Sequence, residues 1–182
     1  MNTEPTMSPH ASATQQTMLP QAGGNIAVWL DSSVARFAAR SYDWDALKFQ
    51  ATFDTKYRRA QMRYAGIDAT SLASDDNTVP VGNFTFSTMA IPAAHEGSSH
   101  IHYDMEANFV MLRGTPKVVC DKDGQRWEMV RKDRDHLSVP QGAYREDINI
   151  GDEDALMCVM LGSPAPICPV CPPDSPLAGL EF

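Results

Sequence analysis

From Val79 to Gly162 the chain is divided into short runs of alternating character, separated by turn residues. "NFTFSTMAI" alternates, with Phe84 and Phe86 on one face. "HIHYD", "ANFVMLRG", "PKVVCD", "QRWEMVR", "HLSVP", "EDINI" and "ALMCVMLG" follow it. Successive side chains of a strand point to opposite faces, so runs of this length and texture predict half-buried strands. Asp123-Gly124, between "PKVVCD" and "QRWEMVR", is a hairpin signal, because a tight turn there needs residues that accept positive φ. Short strands at this spacing predict an antiparallel sandwich or barrel over 79–163. There is no internal repeat.

The flanks read differently. Residues 1–24 are rich in Ser, Thr, Gln and Pro, are almost uncharged and lack apolar periodicity, which predicts a mobile arm. Residues 25–78 form an N-terminal extension. Within it, Asp31-Ser32-Ser33 offers a cap to a short helix near 32–40, with Val34, Phe37 and Ala38 on one face. Leu47, Phe49, Ala51 and Phe53 alternate like a strand, and the segment after them is ambiguous. "SLASDDNT" reads as a loop. Residues 164–182 are proline-rich, and the six prolines of "SPAPICPVCPPDSP" forbid a helix and predict an extended tail along a surface.

The 182 residues match one domain, with 43% hydrophobic and 21% charged residues. The formal net charge of -8 argues against nucleic acid, whose phosphates require clustered Lys and Arg. The basic stretch "KYRRAQMR", Lys56 to Arg63, is short and bracketed by acids, and reads as a solvated face or a subunit contact. No apolar run approaches the ~20 residues needed to span a bilayer. The N-terminus has no basic start or apolar block, so a secretory signal is not expected and a cytoplasmic setting is. Cys168 and Cys171 form a CxxC without a second ligand pair nearby, and read as incidental thiols of the tail.

In "HIHYDMEANFVMLRG", alternation sends His100 and His102 to one face. Two imidazoles so placed can chelate one metal, and an acid on that face completes the two-histidine, one-carboxylate set of non-haem Fe(II) oxygen chemistry. Glu106 and Asp104 are the candidate acids. This stretch resembles the first motif of the cupin superfamily, G-x5-H-x-H-x3/4-E-x6-G, through His100, His102, Glu106 and Gly114. "RDHLSVPQGAYREDIN" resembles the second, G-x5-P-x-G-x2-H-x3-N, through Pro140, Gly142 and Asn149. The resemblance implies an all-β double-stranded jelly-roll barrel.

Three departures bear on function. Ala94 and Arg134 stand where the motifs begin with glycine, and Arg145 stands where the second motif has its metal histidine. Seven residues also intervene between Glu106 and Gly114, where the motif has six. Two registers are open: Gly114 fixes the strand and Ala107, Phe109 and Met111 face inward, or Glu106 faces inward with Asn108 and Val110. A one-residue slip exchanges the faces. Arg145 cannot donate a lone pair to a metal and repels a cation. It lies outside the mouth, replaces a metal's charge, or holds an anionic group. His95 and His136 are replacement-ligand candidates but read as surface or loop histidines.

Length, N-terminal extension, degraded second motif and proline-rich tail are most similar to the small subunit of two-component hydroquinone 1,2-dioxygenases. That resemblance implies a non-catalytic cupin subunit of an aromatic ring-cleaving dioxygenase. Its partner is a larger cupin subunit that carries the Fe(II) and acts on an aromatic small molecule. No residue of this chain is assigned a catalytic role. His100, His102 and Glu106 are the metal candidates, Arg145, Asn108 and Asn149 the pocket candidates. Trp29, Trp44 and Tyr144 are candidates for the substrate entrance and read as core or interface residues. The alternatives are a self-sufficient Fe(II) cupin dioxygenase using His100, His102 and Glu106, and a small-molecule-binding cupin without chemistry.

Overall fold

The computed structural model describes residues 24–67 and 78–179. The expected arm at 1–24 and the loop "SLASDDNT" lie outside the described residues except for Gly24 and Thr78. Every run named between Val79 and Gly162 contributes a strand. In chain order the strands are β1 (Ala60–Ala65), β2 (Thr85–Ile91), β3 (His100–Ile101), β4 (Ala107–Arg113) and β5 (Pro116–Lys122). They continue with β6 (Gln125–Val130), β7 (His136–Val139), β8 (Tyr144–Asn149) and β9 (Ala155–Leu161). One sheet has the order β1-β2-β9-β4-β7 and the other β3-β8-β5-β6. All pairs of neighbours are antiparallel. The fold is all-β, a two-sheet jelly roll, and it draws a strand, β1, from the extension ahead of residue 79.

The core lies between the sheets. Ile91, Phe109, Met111, Val139, Met157 and Val159 meet there, each less than a tenth exposed. Full burial of side chains of this size stabilises by ~1.5–3 kcal/mol each. Positive φ appears where the turns demand it, at Asp123 (52°) and Gly124 (75°) in the β5–β6 hairpin. Gly114 has φ 98°, and a Cβ there would sit 2.8 Å from the Ala155 Cα. Only glycine meets both conditions, so Gly114 anchors the end of β4. The register it sets is the observed one: Ala107, Phe109 and Met111 are buried inward.

The extension departs from expectation. Its α-helix is α1 (Ile26–Ser32), not 32–40, where only a 3-10 turn at Phe37–Ala39 occurs. Asn25 caps α1, its Oδ1 accepting from the Ala27 N–H at 2.9 Å. Ser32 and Ser33 close the helix rather than open it, because both hydroxyls donate to the Trp29 carbonyl at 2.8 Å. The alternating run from Leu47 is not a strand but α2 (Lys48–Phe53), followed by a 3-10 turn at Thr55–Tyr57 capped by Asp54. Five to six residues are too few for either period to decide. The tail is tied into the barrel rather than laid along it. Val170 and Ile101 exchange backbone hydrogen bonds, and Cys171 and Leu177 bury against Tyr57. Among the described residues no helix is long and apolar enough to cross a membrane.

The glycine positions of the two motifs keep their geometry without their glycines. Ala94 has φ 59° and Arg134 φ 70°, and both side chains are exposed. The left-handed region costs an L-residue about 1 kcal/mol or more. Ala94→Gly and Arg134→Gly are therefore each expected to stabilise the fold, by up to about 1 kcal/mol once the looser unfolded chain is counted. A higher urea midpoint for each variant checks this, and a lower midpoint for both refutes it.

Candidate functional site

The candidate site is built on residues of β3, β8 and β4 that line one cavity. His100 pairs directly with Arg145 across β3 and β8, and Cys120 of β5 pairs with Arg145 on its other side. His100 and His102 stand edge to face with ring centroids 5.5 Å apart. Both line a partly open cavity of about 80 Å³ together with Arg59, Arg145, Gln50, Asp147 and Phe109. The alternation reading of the histidine pair therefore places both rings in one cavity.

The remaining sequence candidates are distributed elsewhere. Glu106 is a correction: it does not join the histidines. Its carboxylate lies on the outer face and accepts from Asn108 Nδ2 at 2.9 Å and from the Ser138 hydroxyl at 2.8 Å. Those bonds hold it below the usual carboxylate range. Ala107 takes the inward place. Asn108 also faces outward, its Oδ1 accepting from His136 Nε2 at 3.0 Å, so neither residue reaches the cavity. Asn149 is buried but structural: its amide donates to the Ile91 and Glu153 carbonyls and its Oδ1 accepts from Gly151 N–H. Asp104 accepts from the Ile167 N–H and ties down the tail. His95 Nδ1 donates to the Ala93 carbonyl in its own turn. Trp44 is stacked by Arg58 at 4.8 Å, and Tyr144 lines an outer cleft with Tyr57 and Arg126.

Two arginines were not anticipated. Arg59 belongs to the basic stretch read as a solvated face or a subunit contact, yet it is 4% exposed. The signal was present: Arg59, Gln61 and Arg63 alternate with Ala60, Met62 and Tyr64, the period of a strand whose polar face turns inward. Arg131, 1% exposed, enters from the end of β6 and pairs with Asp147. The Arg145 guanidinium lies 4.8 Å from the centroid of the Phe109 ring and that of Arg131 5.8 Å from it. Desolvated cation–π contacts of this kind are worth about 2 kcal/mol. Burial lowers Arg59 and Arg145 to about 10, which leaves both charged at neutral pH.

These cations set the state of the histidines. Burial and the nearby Arg145 charge lower His102 to about 3, and burial, Arg145 and His102 push His100 well below its ordinary value. Both rings are neutral near pH 7. His100 Nδ1 donates to the Ser98 carbonyl at 2.7 Å, so its lone pair is on Nε2. The pH consequence follows. In the unfolded chain these histidines titrate near 6.5, so below that pH the unfolded state binds more protons and stability falls. The loss is expected to run from about pH 6.5 down toward His102's folded value of about 3. Urea midpoints across this range check it, and His102→Gln is expected to flatten the slope.

A divalent metal does not fit this set. Glu106 is not beside the two imidazoles, the carboxylate that does line their cavity, Asp147, is held by Arg131, and among the described residues no group of three or more His, Cys, Asp and Glu could hold a metal ion. A guanidinium stands where the motif has its third imidazole. At ~5 Å and an effective dielectric of 20, a dication and a guanidinium repel by roughly 6–7 kcal/mol.

No protein-family profile matches the chain, and no curated protein matches it. Solved structures do. A recombinant oxalate oxidase in complex with glycolate superposes with TM-score 0.50 at 15% identity, over 63% of this chain and 55% of that one. The protein CapF, solved with the inhibitor 3-isopropenyl-tropolone, superposes with TM-score 0.50 at 11% identity, over 68% of this chain and 30% of that one. The fold is a cupin barrel. This chain spans about half the length of the oxalate oxidase chain and less of CapF. Inside this barrel Arg59 and Arg145 line the cavity that holds the two histidines.

Proposed function

We propose that this chain is an accessory, non-catalytic cupin subunit of an Fe(II)-dependent dioxygenase that cleaves hydroquinone-type aromatic rings, with the iron on a larger cupin partner. One observation carries the reading: the barrel keeps its turns and both histidines, but Arg145 lies opposite His100 and Ala107 replaces an inward acid. Left-handed Ala94 and Arg134 support it, because the shape of the motifs is retained where their glycines are not. Surface character supports a partner. α1 has no buried residue, and Ile26, Val28 and Leu30 are exposed on it. Trp127, Met129 and Val130 are about half exposed on β6, the edge strand of its sheet. Edge strands and apolar patches of this kind mark contact surfaces.

The test pairs capture with chemistry. A tagged copy of the chain, expressed in its native cells, is expected to retain a larger cupin chain. The iron and the O2 uptake on hydroquinone are expected with the complex and not with the chain alone. Near-stoichiometric iron and O2 uptake by the isolated chain would establish the self-sufficient dioxygenase instead. A second reading, a small-molecule-binding cupin without chemistry, is favoured by the unpartnered guanidinium nitrogens in the cavity. Absence of any cupin partner together with absence of uptake in every mixture would support it.

A further inference from the structure

Inside the barrel several buried polar atoms have no hydrogen-bond partner among the described residues. They are Nε and Nη1 of Arg59, Nε of Arg145, Nδ1 of His102 and Oε1 of Gln50. Each belongs to a side chain 4–5% exposed that lines the same cavity. A buried donor left unsatisfied costs ~1–3 kcal/mol, more when it is charged, so native interiors retain such groups only where something meets them. The charges are unbalanced as well. Arg59, Arg131 and Arg145 face one carboxylate, Asp147, and Arg131 already holds it. Most of the remaining lining is apolar, including Phe49, Met89, Leu161 and Pro169. A cavity of about 80 Å³ holds several waters' worth of space. Its lining combines guanidiniums with apolar side chains.

We propose that the cavity is a binding site for a small organic carboxylate, its head group received by Arg59 and Arg145 and its apolar body by the Phe49–Met89–Leu161 wall. The carboxylate supplies the missing acceptors for the guanidinium N–H groups and the missing negative charge. Guanidinium and carboxylate match in geometry, and the pairing is strongest where water is excluded. Gln50 Oε1 provides an acceptor for a ligand hydroxyl. The site needs no metal and no partner chain, so it stands apart from the accessory-subunit reading.

The full 182-residue chain is titrated by calorimetry with formate, acetate, propionate and benzoate, and with benzamide as the neutral isostere of benzoate. At least one carboxylate is expected to bind one to one and to raise the unfolding temperature. Benzamide is expected to bind at least about tenfold more weakly than benzoate, and added chloride to compete. Arg145→Met and Arg59→Met are each expected to weaken the carboxylate at least about tenfold, and Arg145→Lys less. Because Arg145 also stacks on Phe109, the folded state of each variant is checked by circular dichroism, and the isosteric pair on the native chain decides independently of it. Equal binding of benzamide and benzoate, no binding of any of the carboxylates, or binding indifferent to both arginine variants would overturn the site. A chain that binds no carboxylate but still captures a larger cupin would sink the anion site alone. A chain that binds carboxylate and captures no cupin would sink only the accessory-subunit reading.

Discussion

Asp147→Asn is expected to lower the stability of the chain by about 3–5 kcal/mol, the usual cost of removing one partner of a buried ion pair. The size of the effect comes from what Asp147 faces. Arg131 is 1% exposed and pairs with it, and Arg59 and Arg145 feel its charge inside the same barrel. Removing the carboxylate leaves three guanidiniums among apolar side chains with no counter-charge. For a chain of this length a loss of that size lowers the unfolding temperature by roughly 10 °C. Removing both partners, as in Arg131→Met with Asp147→Leu, is expected to cost much less, because the desolvation of the charges is relieved together with their attraction. Thermal unfolding of the single and double variants reads this directly. A single variant within 1 kcal/mol of the parent would mean that solvent or a bound anion, not Asp147, governs the buried charge. Added benzoate or acetate separates those two. An anion that already stabilises the arginines cannot be added twice.

The same geometry explains which features were legible in the sequence. Strands β2 to β9 were, because alternation and turn residues are local signals and each run carried both. The register of β4 was not, since Glu106 and Ala107 differ by one position and only the contact of Gly114 with Ala155, forty-one residues on, separates them. α2 was missed because Leu47, Phe49, Ala51 and Phe53 alternate by accident over less than two helical turns. Leu47 and Gln50 bury, whereas Phe53 is 54% exposed. The histidine pair and Arg145 were legible as a constellation. Arg59, Arg131 and Asp147 were not, because a buried cation carries no sequence mark of its own. It takes its meaning from the neighbours that tertiary structure gives it: Arg59, just ahead of β1, lines the cavity with Asp147 of β8, and Arg131 pairs with Asp147. Sequence reasoning about a site recovers the residues of a motif and loses the residues that replace it.

Arg145→His tests whether the departure from the metal-binding pattern rests on that one position. His100 and residue 145 are direct partners across β3 and β8, so an imidazole at 145 lies beside two others already held neutral. The substitution adds a lone pair and removes a positive charge from the same place. Even at the dielectric of water, a guanidinium ~5 Å from a dication opposes binding by about 1.5 kcal/mol, and several-fold more in a dry barrel. Divalent affinity is therefore expected to rise on the order of 100-fold or more, from loss of repulsion and gain of a ligand combined. Equilibrium dialysis with Zn(II) and anaerobic Fe(II) measures it, and His100→Ala in the same background is expected to abolish the gain. If the variant binds no more metal than the parent, Arg145 is not what excludes the ion, and the absence of an inward carboxylate at Ala107 is. Ala107→Glu in the Arg145→His chain then becomes the discriminating variant. Metal binding that appears only in the double variant would show that both departures, and not the arginine alone, separate this barrel from a metal site.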